Sequence, residues 1–136
     1  VYDLAAVGWW RGRNQSPQFL QITGDGTRLI LPLGGPGLVV MFDISNPNFP
    51  LLLSVVDLGA RSAPHMMHLT HDDQRLVVTN YFLNQDGFGK VHLDGDRKVH
   101  VLNLWRFGMW RDFRFNLDFN QGFPTGPARP HGVAMK

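Results

Sequence analysis

A strand–turn–strand segment occurs twice in this sequence, and it constrains the fold more than any other feature. The copies start at Pro17 and Pro64, 47 positions apart, and they align without a gap. Each copy places a turn rich in Gly or Asp between two short apolar runs. The identical pairs are Pro17/Pro64, Thr23/Thr70, Asp25/Asp72, Arg28/Arg75 and Leu29/Leu76. A period of this length is typical of folds that stack one supersecondary unit against the next.

Two further apolar runs follow each copy of the segment. Residues 39–44 and 51–58 follow the first copy, and residues 99–104 and 113–119 follow the second. Four short strands within about 40–50 residues are typical of one blade of a β-propeller. The longer connection in the second copy, residues 81–98, is then an insertion between two strands of one blade.

The repeat therefore predicts an all-β fold made of β-propeller blades. One four-stranded blade covers about residues 17–58, and a second covers about residues 64–119. Residues 128–136 resemble the start of a third copy and predict its first strand. Propellers close with about four to eight blades. We therefore expect these blades to belong to a larger propeller, completed by further chain or by another chain.

The rest of the composition agrees with short strands and tight turns. The 15 Gly and 9 Pro residues are accounted for by turns between strands. No segment carries apolar residues at helical spacing over three turns, and a brief helical turn is expected only at residues 105–111. A β-sandwich with a chance internal similarity is the alternative architecture.

Composition and charge exclude several classes of function. The chain has no Cys, which excludes disulfides, thiolate zinc sites and thiol catalysis. The formal net charge is +2 and there is no block of Lys or Arg, so we expect no nucleic-acid partner. No apolar run approaches the ~20 residues of a spanning helix, so we expect no membrane span.

His65 and His131 are the leading candidates for a metal site. Each follows a Pro at the predicted start of a blade's innermost strand. Inner strands line the central channel of a propeller, so equivalent positions on neighbouring blades converge. Two imidazoles can there bind copper or another late transition metal, with further ligands from other blades. The alternative is that both are polar side chains hydrogen-bonded to water in the channel. The first copy has Gln18 at this position and offers no comparable ligand.

His68 is a weaker candidate ligand, and His71 is weaker still. A strand alternates its side chains between two faces, so His65 and His68 should point apart. The alternative places His68 in the packing between blades and His71 at a turn.

Three other groups of residues have a functional and a structural interpretation. The polar loop within the connection at residues 81–98 can hold calcium, act as a lid or contact a partner, or it can be an exposed hairpin tip. Arg28 and Arg75 are expected to form ion pairs between blades rather than to bind substrate. The four Trp residues can line a pocket or fill gaps between blades. The loop residues concerned are Asp86, His92, Asp94 and Asp96, and the tryptophans are Trp9, Trp10, Trp105 and Trp110.

Four segments in order give the sequence a specific resemblance. Residues 37–50 resemble the "GxLxxYDISDPxxP" segment of the selenium-binding protein family, and residues 64–79 are similar to its "PxMxxLSLDGKRLYVT" strand pair. Residues 116–120 resemble its "NFLVDFG" segment, and residues 126–131 resemble its "GPALAHE" segment, which ends near a His. These segments lie near the carboxyl end of the family's proteins.

The resemblance implies a single β-propeller of several hundred residues. Bacterial and animal members include copper-dependent methanethiol oxidases, which convert methanethiol, oxygen and water to formaldehyde, hydrogen sulfide and hydrogen peroxide. It therefore implies a small sulfur-containing substrate, which the tryptophans can accommodate, and copper as the cofactor. It favours His131 as a ligand and a periplasmic location, with the cytoplasm as the alternative.

The sequence departs from the family pattern in three places. It has no Cys to capture selenium, Gly132 replaces the Glu after the family's terminal His, and residues 81–98 do not match the usual insert. The alternative function is therefore a non-catalytic propeller that acts as a protein-interaction or structural module.

Overall fold

The computed structural model describes residues 16–85, 87–115 and 117–135, with the backbone alone at residues 82–85, 93 and 94. Within these ranges the secondary structure is entirely β, and no helix is present that could cross a membrane. The predicted all-β class is confirmed. The strands are β1 (Gln21–Ile22), β2 (Arg28–Leu33), β3 (Leu38–Asp43), β4 (Leu51–Asp57), β5 (Pro64–Leu69), β6 (Arg75–Asn80), β7 (Phe82–Gln85), β8 (Val91–Asp94), β9 (Lys98–Trp105), β10 (Gly108–Arg111) and β11 (Leu117–Asp118).

The strands form two antiparallel sheets in which neighbours in sequence lie side by side. The first sheet has the order β1-β2-β3-β4. The second has the order β5-β6-β9-β10, and the short strand β11 pairs with β9. The hairpin β7–β8 forms a separate two-stranded sheet between β6 and β9 in the chain. These are two propeller-type blades, and the hairpin is the insertion expected in the second.

The internal repeat is visible in the hydrogen bonds of the inner strand pairs. Pro17 bridges to Leu33, and Pro64 pairs with Asn80 at the same position of the second blade. Both ladders are antiparallel, so each copy folds into the same hairpin.

The two hairpin turns use the same side-chain chemistry. The hydroxyls of Thr23 and Thr70 each donate a 2.6 Å hydrogen bond to the carboxylate two residues later, Asp25 and Asp72. These hydroxyl bonds, together with backbone N–H donors in the turns, lower the pKa of Asp25 to about 2 and hold the pKa of Asp72 below its usual value. A carboxylate that accepts these donors stabilises the turn without help from the rest of the fold.

The main hydrophobic core lies between the two sheets. Each strand turns alternate apolar side chains toward the other sheet, as the period of two requires. β4 lies against β10, where the Met109 amide donates to the Ser54 hydroxyl at 3.0 Å. The core residues are Ile30, Val39, Met41, Val56 and Leu58 from the first sheet and Met67, Leu69, Leu76, Val78, Leu102, Leu104 and Met109 from the second.

The connection at residues 34–37 is a tight turn, closed by a hydrogen bond from the Gly37 amide to the Leu33 carbonyl. Gly37 has φ +77°, a left-handed conformation that side chains with a Cβ rarely adopt. A Cβ at this position would collide with the backbone carbonyl of Gly59. Glycine at position 37 therefore lets the β2–β3 and β4–β5 connections pack together.

Two expectations for the second blade are wrong. Residues 105–111 form the β9–β10 hairpin, with Trp105 opposite Gly108, and not a helical turn. The fourth strand is Gly108–Arg111 rather than residues 113–119, of which only Leu117–Asp118 pairs with β9. Apolar residues alternate in 113–117, but Phe113, Phe115 and Leu117 are all exposed, so the pattern does not mark a buried strand face.

Residues 128–135 have no regular secondary structure and lie against the second sheet. The first strand of a third blade therefore stays a prediction.

Candidate functional site

His65 lies at an irregularity in the inner strand of the second blade. Pro64 pairs with Asn80 and Met66 pairs with Thr79, so the register of the β5–β6 ladder shifts at His65. A bulge of this kind interrupts the alternation of side chains and redirects one of them. The His65 side chain is half-buried.

The structure brings His65 and His131 together, as convergence of equivalent blade positions predicts. Their imidazole rings are parallel within 5°, with 5.2 Å between ring centres. Tyr81 completes the group: its ring centre lies 4.6 Å from that of His131 and 6.2 Å from that of His65. We call these three residues the His–Tyr cluster.

Three contacts position the segment that carries His131. The Thr79 hydroxyl donates a 3.1 Å hydrogen bond to the His131 carbonyl. Gly132 packs close to Met66, so that a Cβ on Gly132 would lie 3.3 Å from the Met66 sulfur. Pro130 is buried, whereas the His131 side chain is exposed. The backbone of this segment is thus held against β5 and β6 while the imidazole ring can turn.

The environment of His65 favours the neutral imidazole. Burial lowers its pKa, and the neighbouring His131 lowers it further by charge repulsion. The neutral form is the one that binds a metal ion, since the ligating nitrogen must carry a free electron pair.

The spacing of the pair is compatible with a shared metal ion, but the parallel orientation of the rings is not, because an ion bound by an imidazole lies in the plane of that ring. With metal–nitrogen bonds of about 2.0 Å, two imidazoles on one ion have ring centres roughly 4.5–6 Å apart, and the observed separation falls within that range. Imidazole is a preferred donor for copper. Binding of one ion by both imidazoles therefore requires one of the two rings to rotate out of the parallel arrangement. In the part of the chain that the structure describes, no group of three His, Cys, Asp or Glu side chains could hold a metal ion.

The other two histidines of the segment lie elsewhere. His68 lies on β5 and pairs with Val77 of β6. Its side chain is on the opposite face of β5 from Met67 and Leu69, which enter the core between the sheets. It therefore does not pack against the first blade. His71 is exposed in the turn after β5, as predicted. Neither makes a ring contact with the His–Tyr cluster among the contacts described.

A cleft lies at the other end of the blades. It has a volume of about 650 Å³, and its lining includes Asp25 and Asp72 of the two hairpin turns together with Trp105 and Phe107. From His65 to the end of β5 nearest this cleft, at Leu69, the strand rises by roughly 13 Å, at about 3.3 Å per residue. Trp105 thus lines a cleft, but one far from the predicted metal ligands.

Trp110 does not add to either site. Trp110 lies on the outer strand β10 and is exposed. Trp9 and Trp10 lie outside the described residues.

A buried polar network at the base of the β7–β8 hairpin was not predicted. The Asn80 amide donates to the Asp96 carboxylate at 2.9 Å, and the Lys98 backbone amide donates to the same oxygen at 3.1 Å. The His100 ring, only 1% exposed, has its Nε2 3.9 Å from the other Asp96 oxygen, which is an electrostatic contact rather than a hydrogen bond. Asp96 therefore anchors the hairpin instead of forming its exposed tip.

The other polar residues of the insertion lie away from this network. His92 is exposed on β8, the backbone of Asp94 ends that strand, and Asp86 lies outside the described residues. The insertion thus gives no support to a calcium loop.

The repeated arginines do not pair between blades as expected. Arg28 lies 3.7 Å from Asp25 in its own turn, and it reaches the second blade through a 3.3 Å hydrogen bond to the Trp105 carbonyl. Arg75 is exposed at the equivalent position. Arg28 therefore contacts both its own turn and the second blade, whereas Arg75 is exposed.

A solved structure that resembles this chain is that of a hypothetical selenium-binding protein from Sulfolobus tokodaii. The identity is 29% and the TM-score is 0.69, over 86% of this chain and 28% of that one. The chain is similar to part of a selenium-binding protein. It spans little more than a quarter of that protein's length, which agrees with two blades of a larger β-propeller.

Two further solved structures have a lower similarity. Two candidate 6-phosphogluconolactonases, from Bacteroides fragilis and Bacteroides uniformis, have TM-scores of 0.45 and identities of 11% and 12%, over 77% of this chain. They cover 40% and 41% of those chains. No family model and no curated protein matches the sequence.

Proposed function

We propose that this chain is the part of a selenium-binding-protein-like β-propeller that contributes His65 and His131 to a copper site, and that the protein oxidises methanethiol. The observation that carries the proposal is the convergence of two imidazoles, one near the start of β5 and one in the segment that follows the second blade, with ring centres 5.2 Å apart. The similarity to part of a hypothetical selenium-binding protein supports the family from which this activity is proposed.

In this proposal the residues of the chain bind and position. His65 and His131 hold copper, which supplies the activation of oxygen that oxidation of a small thiol requires. Partial burial keeps His65 neutral and available. The Thr79 hydroxyl fixes the backbone of His131. Further ligands come from blades outside this chain.

Copper loading and turnover test this function together. Purified protein is expected to bind stoichiometric copper and to release hydrogen peroxide and formaldehyde from methanethiol. His131→Ala should lower the copper affinity more than tenfold, because a direct ligand is lost, and should abolish peroxide release. His71→Ala is the matched control, since it removes an exposed histidine outside the cluster and should change neither quantity. Wild-type protein that binds no copper, or that binds it without oxidising methanethiol, would overturn the proposal.

The β7–β8 hairpin favours a second function, in which the propeller is a non-catalytic interaction module. The hairpin pairs with neither blade, and Phe88 near its tip is 98% exposed. Under this alternative, Phe88→Ser weakens binding of a protein partner while His131→Ala leaves it intact. The opposite outcome, with binding unchanged in the Phe88 variant, argues against the module.

A further inference from the structure

We propose that the cleft lined by Asp25, Asp72, Trp105 and Phe107 binds a small organic cation with two primary ammonium groups, as in a linear diamine. The volume of the cleft, about 650 Å³, is within the range of small-molecule sites. The assignment is independent of copper and of the proposed oxidation, because the described residues that line this cleft include none of the His–Tyr cluster.

Two exposed aromatic rings form a corner of the cleft. Trp105 and Phe107 are 67% and 60% exposed, and their rings stand edge to face, with 6.4 Å between ring centres and 80° between ring planes. The face of an aromatic ring attracts a cation, and indole does so most strongly. The Arg106 guanidinium already lies 5.2 Å from the centre of the Phe107 ring. The ring available to a ligand cation is therefore that of Trp105.

The charge of the cleft complements a cation with two charges. Four carboxylates and two guanidinium groups line it, which leaves a formal charge of −2. Both guanidinium groups have partners within the protein. Arg28 lies 3.7 Å from Asp25 and donates to the Trp105 carbonyl at 3.3 Å. Arg106 lies against Phe107. A dication neutralises the remaining charge, so it is attracted more strongly than a monocation of similar size. The four carboxylates are those of Asp25, Asp43, Asp72 and Asp73.

The carboxylates of Asp25, Asp43 and Asp72 are ionised at neutral pH, because hydrogen bonds within their own turns lower the pKa of each. Asp72 uses its Oδ1 atom for these bonds and accepts from the Thr70 hydroxyl at 2.6 Å. Its Oδ2 atom accepts no hydrogen bond among the contacts of the described residues. A primary ammonium has three N–H donors and can form a charge-assisted hydrogen bond with such an oxygen, which a quaternary ammonium cannot.

Asp73 holds the two turns together at the cleft. Its Oδ2 atom accepts a 2.6 Å hydrogen bond from the Gly24 amide in the turn of the first blade. Asp73 has φ +55°, a left-handed conformation that is uncommon for a residue with a side chain. The bond places carboxylates of both blades on one cleft before a ligand arrives, and a preformed site loses less conformational freedom on binding.

Isothermal titration calorimetry of the purified protein with diaminohexane tests the proposal. We expect one diamine to bind, whereas hexanediol, which has the same chain length and no charge, should not bind. Trp105→Ala should weaken diamine binding by about three- to tenfold, and Trp105→Phe, which keeps a ring, should retain most of the affinity. Asp72→Asn should weaken it by a similar factor, because the charge is lost while the oxygen that accepts from Thr70 is kept.

Trp110→Ala is the matched control. Trp110 is also an exposed tryptophan, but it does not line the cleft, so this variant should bind diaminohexane as wild-type protein does. Far-ultraviolet circular dichroism should confirm that all variants are folded. A diamine that binds no more tightly than hexanediol would overturn the proposal. Equal affinity of wild-type protein and either Trp105→Ala or Asp72→Asn would overturn it as well.

Two further outcomes separate this site from its alternatives. N-acetyl-lysine amide presents one ammonium group as a protein partner would, and tighter binding of this compound than of diaminohexane would overturn the assignment to a free dication. Diamine binding by protein that binds no copper would support this site and overturn the proposed function. Copper binding by protein that binds no diamine would do the reverse.

Discussion

The Thr79 hydroxyl donates a 3.1 Å hydrogen bond to the backbone carbonyl of His131, and so links the second strand of a blade to the segment that follows the blade. The same hydroxyl lies 3.3 Å from the Met66 carbonyl. The side chain is 1% exposed, so water cannot replace these contacts. Thr79 therefore joins strand β5, strand β6 and the candidate ligand in one place.

Replacing Thr79 should loosen His131 without removing it. We expect Thr79→Val to weaken copper binding several-fold and to lower the free energy of unfolding by about 1–3 kcal/mol, because the His131 carbonyl loses its hydroxyl donor and a buried side chain loses its hydrogen bond. Isothermal titration with copper and urea denaturation measure the two effects. Thr79→Ser keeps the hydroxyl and should restore copper binding to near the wild-type value. A Val variant with wild-type copper affinity would show that this bond does not position His131.

Gly37→Ala should destabilise the fold. The added Cβ meets the Gly59 carbonyl, and the backbone at φ +77° is strained for any residue with a side chain. A loss of about 1–3 kcal/mol in the free energy of unfolding is expected. Gly87→Ala, where a Cβ meets nothing within 4 Å, serves as the control and should stay within about 0.5 kcal/mol of wild type. Equal stabilities of the two variants would contradict the close approach at Gly37.

The repeat could be predicted because its stabilising contacts are local. Thr23 and Asp25 bond within one turn, as Thr70 and Asp72 do, so the sequence carries nearly all the information that forms each hairpin. The meeting of His65 with His131 followed from one further step, the equivalence of positions on neighbouring blades.

Tyr81 and the Asp96 network could not be predicted in the same way. Their positions depend on how the β7–β8 hairpin leaves and rejoins the sheet, which brings Asp96 back to Asn80. No periodicity or motif specifies that path. The sequence offered one clue. Tyr81 directly follows the strand β6, which pairs with the strand that carries Pro64 and His65.

Truncation in the core between the sheets should be costly. Leu102 has no exposed surface and packs with residues of both blades, so Leu102→Ala is expected to lower the free energy of unfolding by about 2–5 kcal/mol. Leu51→Ala is the matched control, because Leu51 is 65% exposed, and its effect should remain near ~0.5 kcal/mol. Urea denaturation measures both. If Leu102→Ala were no worse than Leu51→Ala, the two sheets would not share a core in solution.

Asp96 should make the stability depend on pH in the acid range. Burial raises the pKa of this carboxyl, but the contact with His100 and the hydrogen bonds from Asn80 and from the Lys98 amide lower it by more, so the folded-state pKa is below the ordinary value. A lowered folded pKa means that the stabilisation is fully present above the unfolded value of about 3.9. It is then lost as the pH falls through the folded-state pKa.

This prediction is tested by comparing the free energies of unfolding of wild-type protein and Asp96→Asn at each pH. The comparison is needed because other carboxylates titrate in the same pH range. The difference in free energy of unfolding should shrink as the pH falls below about pH 4, where the wild-type carboxylate becomes protonated. The amide in Asp96→Asn cannot titrate, so the variant lacks this component of the acid loss. A difference that grew as the pH fell below about pH 4 would contradict the lowered folded-state pKa, and the hydrogen bonds from Asn80 and Lys98 would then not stabilise the ionised form.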